Sequence, residues 1–382
     1  MKERPEGTIV FYVSGHGFGH ASRVIEVINA LIRKRAALRI VVRTSAPRWL
    51  FDLTVRGALE YEYVECDTGV VQIDSLRLDE EASIARAIEF MSSFEERVGR
   101  EAERLKNVDA GLVVADMPPL GVAAGAQAGV PVAALGNFTW DWIYSAYPGS
   151  DRLVRMIREA YSEADVALRL PMWGGFEAFE RVVDLPFVAR RSARDPEDVR
   201  RAFSLPHDKR LVLTSFGGHG REGIASVARD MNGYAVLFTT AVPAGQPPSP
   251  PGTSVPPMDL RRQAGTEVLF VDERQLYAGG FRYEDLVRAV DVVITKPGYG
   301  IIAECLANDT ALLYTSRGLF IEYDVLVDAM PQFLRTAFID HSDLFDGRWR
   351  PHLDALLAQP APGSKPATNG ASVAADALLA ML

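Results

Sequence analysis

Two α/β domains in tandem, each a parallel sheet wound on both faces by helices, are the fold class this sequence predicts. Three observations carry that reading. Short runs that are apolar throughout recur along the chain, as strands buried on both faces require. Segments with a helical period lie between them. The series occurs twice within 382 residues, the length of two domains.

Taken in order, Thr8–Ser14 is the first apolar run, and it ends in glycines. Ala21–Arg35 follows with apolar residues at Val24, Val27, Ile28, Leu31 and Ile32, a helical spacing. Leu38–Arg43 and Glu60–Glu65 read as strands, and Glu80–Leu105 as one long charged helix. Ala110–Ala115, a helix near Leu120–Gln127, and Pro131–Leu135 complete the first series. The second opens with the strand Leu211–Ser215 and helical spacing from about Arg221. Further strands are expected at Ala235–Thr240, Glu267–Val271, Val290–Thr295 and Ala311–Thr315. The expected division is 1–185, a linker at 186–200 that is polar and Arg-rich, 201–360, and a C-terminal helical segment at 361–382. Pro243–Pro257 holds seven of the chain's 23 prolines and reads as an exposed loop inside the second domain.

Composition narrows the function. An apolar share of 48% excludes a disordered chain. A net charge of −9 argues against nucleic acid as a partner. Cys66 and Cys305 stand far apart, with no disulfide framework or zinc spacing, as in a reduced cytoplasm. The apolar run after the charged N-terminus is too short for a signal peptide. Gly111–Gly136 is broken by Asp116, Pro118, Pro119, Gln127 and Pro131, so no integral membrane segment is expected. The expected location is the cytoplasm.

Ligands of such sheets bind beyond the carboxyl ends of the strands. The first strand ends in Ser14-Gly15-His16-Gly17-Phe18-Gly19-His20. Glycines there allow close backbone approach, and the helix N-terminus that follows attracts anions. The dinucleotide fingerprint is not met, because His20 holds its third glycine position. His16 and His20 have metal-pair spacing without an acidic third ligand nearby. In the second domain Ser215-Phe216-Gly217-Gly218-His219-Gly220 repeats the device, without a P-loop ending. Thr295-Lys296-Pro297-Gly298 then opens a helix whose apolar face is Ile301, Ile302, Cys305 and Leu306. Glu304 falls about 130° from the centre of that stripe, free to face a cleft and accept sugar hydroxyls. Asp116-Met117-Pro118-Pro119 and Asn137-Phe138-Thr139-Trp140-Asp141-Trp142 end two further strands. Aromatic faces and polar groups there suit a sugar; equally, the tryptophans fill the core and Asp141 caps a helix.

Together these segments resemble the two-Rossmann-domain GT-B glycosyltransferases. The nearest likeness is to the glycosyltransferase-like N-terminal half of plant L-arabinokinases and its stand-alone bacterial relatives. It rests on Gly15–Arg23 and on Asn137–Tyr144. A more distant likeness, through Lys296–Glu304, is to the lipid-linked N-acetylglucosaminyltransferase of peptidoglycan synthesis. The resemblance covers roughly residues 8–23, 108–145, 165–220 and 285–340.

It implies an inverting transferase that uses a nucleotide-diphosphate sugar, with UDP as the expected nucleotide. Gly217, Gly218 and His219 would lie at the diphosphate, with Gly17 and Gly19 opposite. Glu304 would take the ribose, Gly298 would open its helix, Lys296 would supply a cation, and Asp272–Tyr283 would border the base. His20 is the expected general base, with Asp116 as orienter or alternative. Asn137, Trp140, Asp141 and Glu322 would meet the sugar or an unknown small-molecule or glycan acceptor. No metal or resident cofactor is expected. Glu322 stands about where the peptidoglycan enzyme has a glutamine, the second glycine turn is shorter than that enzyme's, and the Pro-rich stretch has no counterpart. No kinase phosphate loop follows, so sugar-kinase activity does not carry over. A non-catalytic sugar or nucleotide-sugar binder serving a separate sugar kinase is the alternative. An epimerase would need more acid and base groups than the sequence displays. Arg33-Lys34-Arg35 and Arg48-Trp49-Leu50-Phe51 fit a helix end with inward aromatics better than a lipid contact.

Overall fold

The computed structural model describes residues 7–73, 76–216, 231–240, 259–263 and 266–382. The first half builds β1 (Thr8–Val13), β2 (Arg39–Thr44), β3 (Glu60–Tyr63), β4 (Val71–Gln72), β5 (Leu78–Asp79), β6 (Leu112–Asp116), β7 (Val132–Phe138), β8 (Val166–Gly174) and β9 (Val182–Asp184). Seven of these form one sheet in the order β3-β2-β1-β6-β7-β8-β9, all parallel. β1, β6 and β7 are buried at every residue, which is why their sequences carry no polar alternation. Helix Phe18–Lys34 covers one face, burying Val24, Val27, Ile28 and Leu31.

The second half builds β10 (Arg210–Ser215), β11 (Tyr234–Thr240), β12 (Asp259–Gln263), β13 (Thr266–Asp272), β14 (Val292–Thr295), β15 (Ala311–Tyr314) and β16 (Thr336–Phe338). Their order is β12-β13-β11-β10-β14-β15-β16, with β12 the antiparallel edge. The order of each sheet reverses once, between β1 and β6 and between β10 and β14. These switch points are where crevices open in doubly wound sheets.

Several expectations change in detail. The Glu80–Leu105 stretch is two helices, Glu80–Ser92 and Phe94–Asn107, parted at Ser93, whose φ of −111° leaves the helical range. The segment after β2 packs inward, with Leu50 and Phe51 buried. The Pro243–Pro257 stretch and the helical pattern from Arg221 lie outside the described residues. The last helix, Gly370–Leu379, returns to pack against Phe18–Lys34. Lys34 pairs with Asp376 across that contact at 2.9 Å. Among the described residues no helix is long and apolar enough to cross a membrane.

Candidate active site

The first switch point sets a catalytic-looking pair. Val13 and Asp116 are register partners at the ends of β1 and β6, and the Ser14 amide donates to the Asp116 carbonyl at 3.0 Å. Gly17, at φ 73°, turns the chain into helix Phe18–Lys34, whose first turn carries His20. His20 Nδ1 then lies 2.8 Å from Asp116 Oδ1. Arg23, one turn along the same helix, clamps Asp116 through Nε at 2.6 Å and through Nη2. All three are buried, Asp116 completely. Burial works to raise the Asp116 pKa, but Arg23 and His20 prevail and hold it below the usual carboxylate range. Arg23 Nη2, which can only donate, lies 2.9 Å from the same Nδ1, so Asp116 and Arg23 compete for that nitrogen. The tautomer that gives its Nδ1–H to the ionised Asp116 is the one that leaves a lone pair on Nε2.

Around the pair stand further groups, of which the motifs did not mark Asp67. Asp67, between β3 and β4, accepts from Ser14 Oγ at 3.0 Å and from the Trp140 indole at 2.9 Å. Burial pushes it up to about 6 despite the pull of His20. His16 meets Trp140 edge-on, ring centres 5.9 Å apart. Desolvation, helped by the charges of His20, Arg317, Lys296 and Arg86, drives His16 down to about 3, so it is neutral near pH 7.

The second half brings a helix end to the same cleft. Thr295 Oγ1 donates to the Ser215 carbonyl at 2.5 Å across the β10/β14 switch point. Beyond it Lys296 and Pro297 lead into helix Tyr299–Asn308, capped by Gly298 with no side-chain bond to its free amides. A Cβ on Gly17, Gly19 or Gly298 would meet no atom within 4 Å. The backbone there faces open space, and two positive helix ends border it.

A bonded chain joins the halves. Arg23 Nη1 donates to Asn137 Oδ1 at 2.6 Å, Asn137 Nδ2 to Glu322 Oε1 at 2.8 Å, and Arg317 Nη1 to Glu322 Oε2 at 3.2 Å. Each member is buried or nearly so. Of the residues singled out by sequence, His20, Asp116, Asn137 and Glu322 therefore stand in one network, with Trp140 stacked near His20 at 6.2 Å.

Two others sit differently. Asp141 is buried and ion-paired to Arg158 through Oδ2 at 2.8 Å, while its Oδ1 is buried without a partner. Glu304 does not face the cleft freely: Arg190, from the segment between the halves, donates to it through Nε at 2.6 Å. Burial nonetheless pushes Glu304 up to about 7, and the neighbouring Glu284 and Glu26 reinforce the shift. Gly217, Gly218 and His219 lie outside the described residues. Among the described residues no three His, Cys, Asp or Glu side chains gather as metal ligands.

This architecture is the GT-B fold. The chain matches the calicheamicin glycosyltransferase CalG4 with a TM-score of 0.61 and 16% identity over 99% of this chain and 98% of that one. It matches the S. aureus MnaA–UDP structure at 0.58, with 12% identity over 98% of each. In sequence it is similar to the L-arabinokinase of Arabidopsis thaliana, 29% identical over 96% of this chain. It spans about a third of that protein, 34% of its length. No protein-family model matches the chain.

Proposed function

We propose that this protein is an inverting glycosyltransferase that takes its sugar from a nucleotide diphosphate, with UDP the expected carrier. The observation that carries the reading is the 2.8 Å contact of His20 with an ionised Asp116, beside open helix ends that suit a diphosphate. An acceptor hydroxyl would give its proton to His20 Nε2 as its oxygen attacks the sugar's anomeric carbon. Asp116 would steady the imidazolium, and the bond to the diphosphate would break on the opposite face. The departing charge would fall to the amides of helix Tyr299–Asn308 and to Lys296. Gly217, Gly218 and His219 are proposed to share it. A positioned base of this kind contributes about 10²–10⁴-fold. Asn137, Glu322 and Trp140 are the proposed neighbours of sugar or acceptor, and Glu304 of the ribose. No metal is assigned a role.

The test is a thermal-shift panel of nucleoside diphosphates, their sugar conjugates and free sugars, followed by a transfer assay. A ligand at 100 times its Kd adds about 2.7 kcal/mol. One nucleotide class should shift the melting temperature in both wild type and His20→Ala, while His20→Ala loses transfer. A second reading is favoured by the match to one third of L-arabinokinase: a sugar or nucleotide-sugar binder acting beside a separate sugar kinase. Binding with no transfer by the wild type would select it. No shift with any nucleotide would sink the first.

A further inference from the structure

Arg317, which the sequence motifs did not mark, has an unusual set of partners. It follows β15 and lies over the Phe320 ring, 4.0 Å from its centre. Its side chain is only 11% exposed. Among the described residues one nitrogen, Nη1, makes both of its hydrogen bonds, to Glu322 Oε2 at 3.2 Å and to the Pro297 carbonyl at 3.3 Å. The latter fixes the guanidinium beside Gly298 and the open end of helix Tyr299–Asn308. Nε, by contrast, is buried with no partner. Nη2 has no partner among the described residues either. The side-on edge of the guanidinium, the geometry that takes two oxygens of a carboxylate or phosphate at once, is therefore vacant.

A second orphan comes from the other half of the molecule. The Tyr147 hydroxyl is buried without a partner, in a residue only 3% exposed. A buried hydroxyl and a buried N–H left unbonded are each costly, and a bound oxygen would relieve either. Glu322 would repel an anion, but its two oxygens are already bonded to Arg317 and Asn137.

We propose that the Nε–Nη2 edge of Arg317 seats one oxyanion of the ligand: a phosphoryl group or a carboxylate. This deepens the nucleotide-sugar reading of the cleft and rests on it for the ligand's identity, though not for the seat itself. A phosphoryl occupant would be the leaving diphosphate, which would make Arg317 a catalytic residue. A carboxylate occupant would mark an acidic sugar as donor or acceptor.

The experiment is calorimetric titration of the full chain with inorganic pyrophosphate, with UDP and with glucuronate, for wild type, Arg317→Gln and Arg317→Lys. Circular dichroism would check that each variant folds. Loss of a charge-assisted pair should weaken the correct probe by about 10- to 100-fold in Arg317→Gln. Arg317→Lys keeps the charge and loses the fork, so it should recover only part of that loss. An effect on pyrophosphate and UDP identifies the phosphoryl occupant; an effect on glucuronate alone identifies the carboxylate. If pyrophosphate needs Arg317 while no nucleotide binds, the seat stands and the nucleotide-sugar reading falls. Equal affinities in wild type and Arg317→Gln, full recovery in Arg317→Lys, or no binding of any probe by the wild type would overturn the proposal.

Discussion

In the proposed transfer, the chemistry at His20 would turn on which ring nitrogen keeps its hydrogen, and the Asp116 carboxylate is the partner that favours Nδ1–H against Arg23. Replacing the carboxylate by an amide in Asp116→Asn removes the preference for Nδ1–H and the partner of the imidazolium. Transfer should fall by about 10²–10⁴-fold in kcat, with little change in nucleotide affinity, as steady-state kinetics and titration together would show. Glu304 offers a pH test. Its folded pKa is raised to about 7, so it gains its charge only as pH rises through 7, and the carboxylate accepts ribose hydroxyls better than the acid. Nucleotide affinity should therefore increase between pH 6 and 8 in wild type and stay flat in Glu304→Gln. An identical pH profile in the two proteins would remove Glu304 from the ribose. His20 and Asp116 were readable because both stand where a buried strand meets a turn. Asp67, Arg190 and Arg317 were not, because a lone charge in a loop looks solvated until a distant segment folds over it. Arg190 reaches Glu304 across 114 residues, and no periodicity signals such a partner.

At the scale of elements, the apolar runs were legible because burial on both faces leaves no room for polar alternation. The helices were legible less completely, and Phe94–Asn107 shows why. It reads as a charged surface helix, yet Glu101 is buried and bonded to Tyr12 on β1 at 2.9 Å. Arg43 on β2 joins the same cluster, donating to Tyr12 at 2.8 Å and to Glu101 at 3.2 Å. The helix is thus fixed to the sheet by a buried ion pair as well as by Val98 and Leu105. Truncating one partner of such a pair strands the other charge. Arg43→Ala should cost about 3–5 kcal/mol, to be read from urea unfolding, whereas Arg100→Ala, whose partner Glu96 is exposed on the same helix, should cost little.

For the whole molecule, the two-sheet plan was visible in the sequence, but the path of the chain's end was not. A helical pattern at the C-terminus states no address. What sends it to the first half is a close passage: a Cβ on Gly370 would lie 2.1 Å from the Pro186 carbonyl oxygen. Gly370→Ala should therefore destabilise by about 1–3 kcal/mol and lower the melting temperature, while Gly363→Ala, with open space around it, should not. That passage has a mechanical consequence. The chain crosses between the halves twice, and the two crossings run side by side: Val188 bridges Asn369, Phe187 N donates to the Ala367 carbonyl at 3.1 Å, and Gly370 N donates to the Phe187 carbonyl at 2.9 Å. The halves are tied at separate places: by these crossings, by Arg23 lying over the Tyr299 ring, 5.7 Å from its centre, and by the Asn137–Glu322 bond. Sliding one half along the other would break the bonds between the crossings.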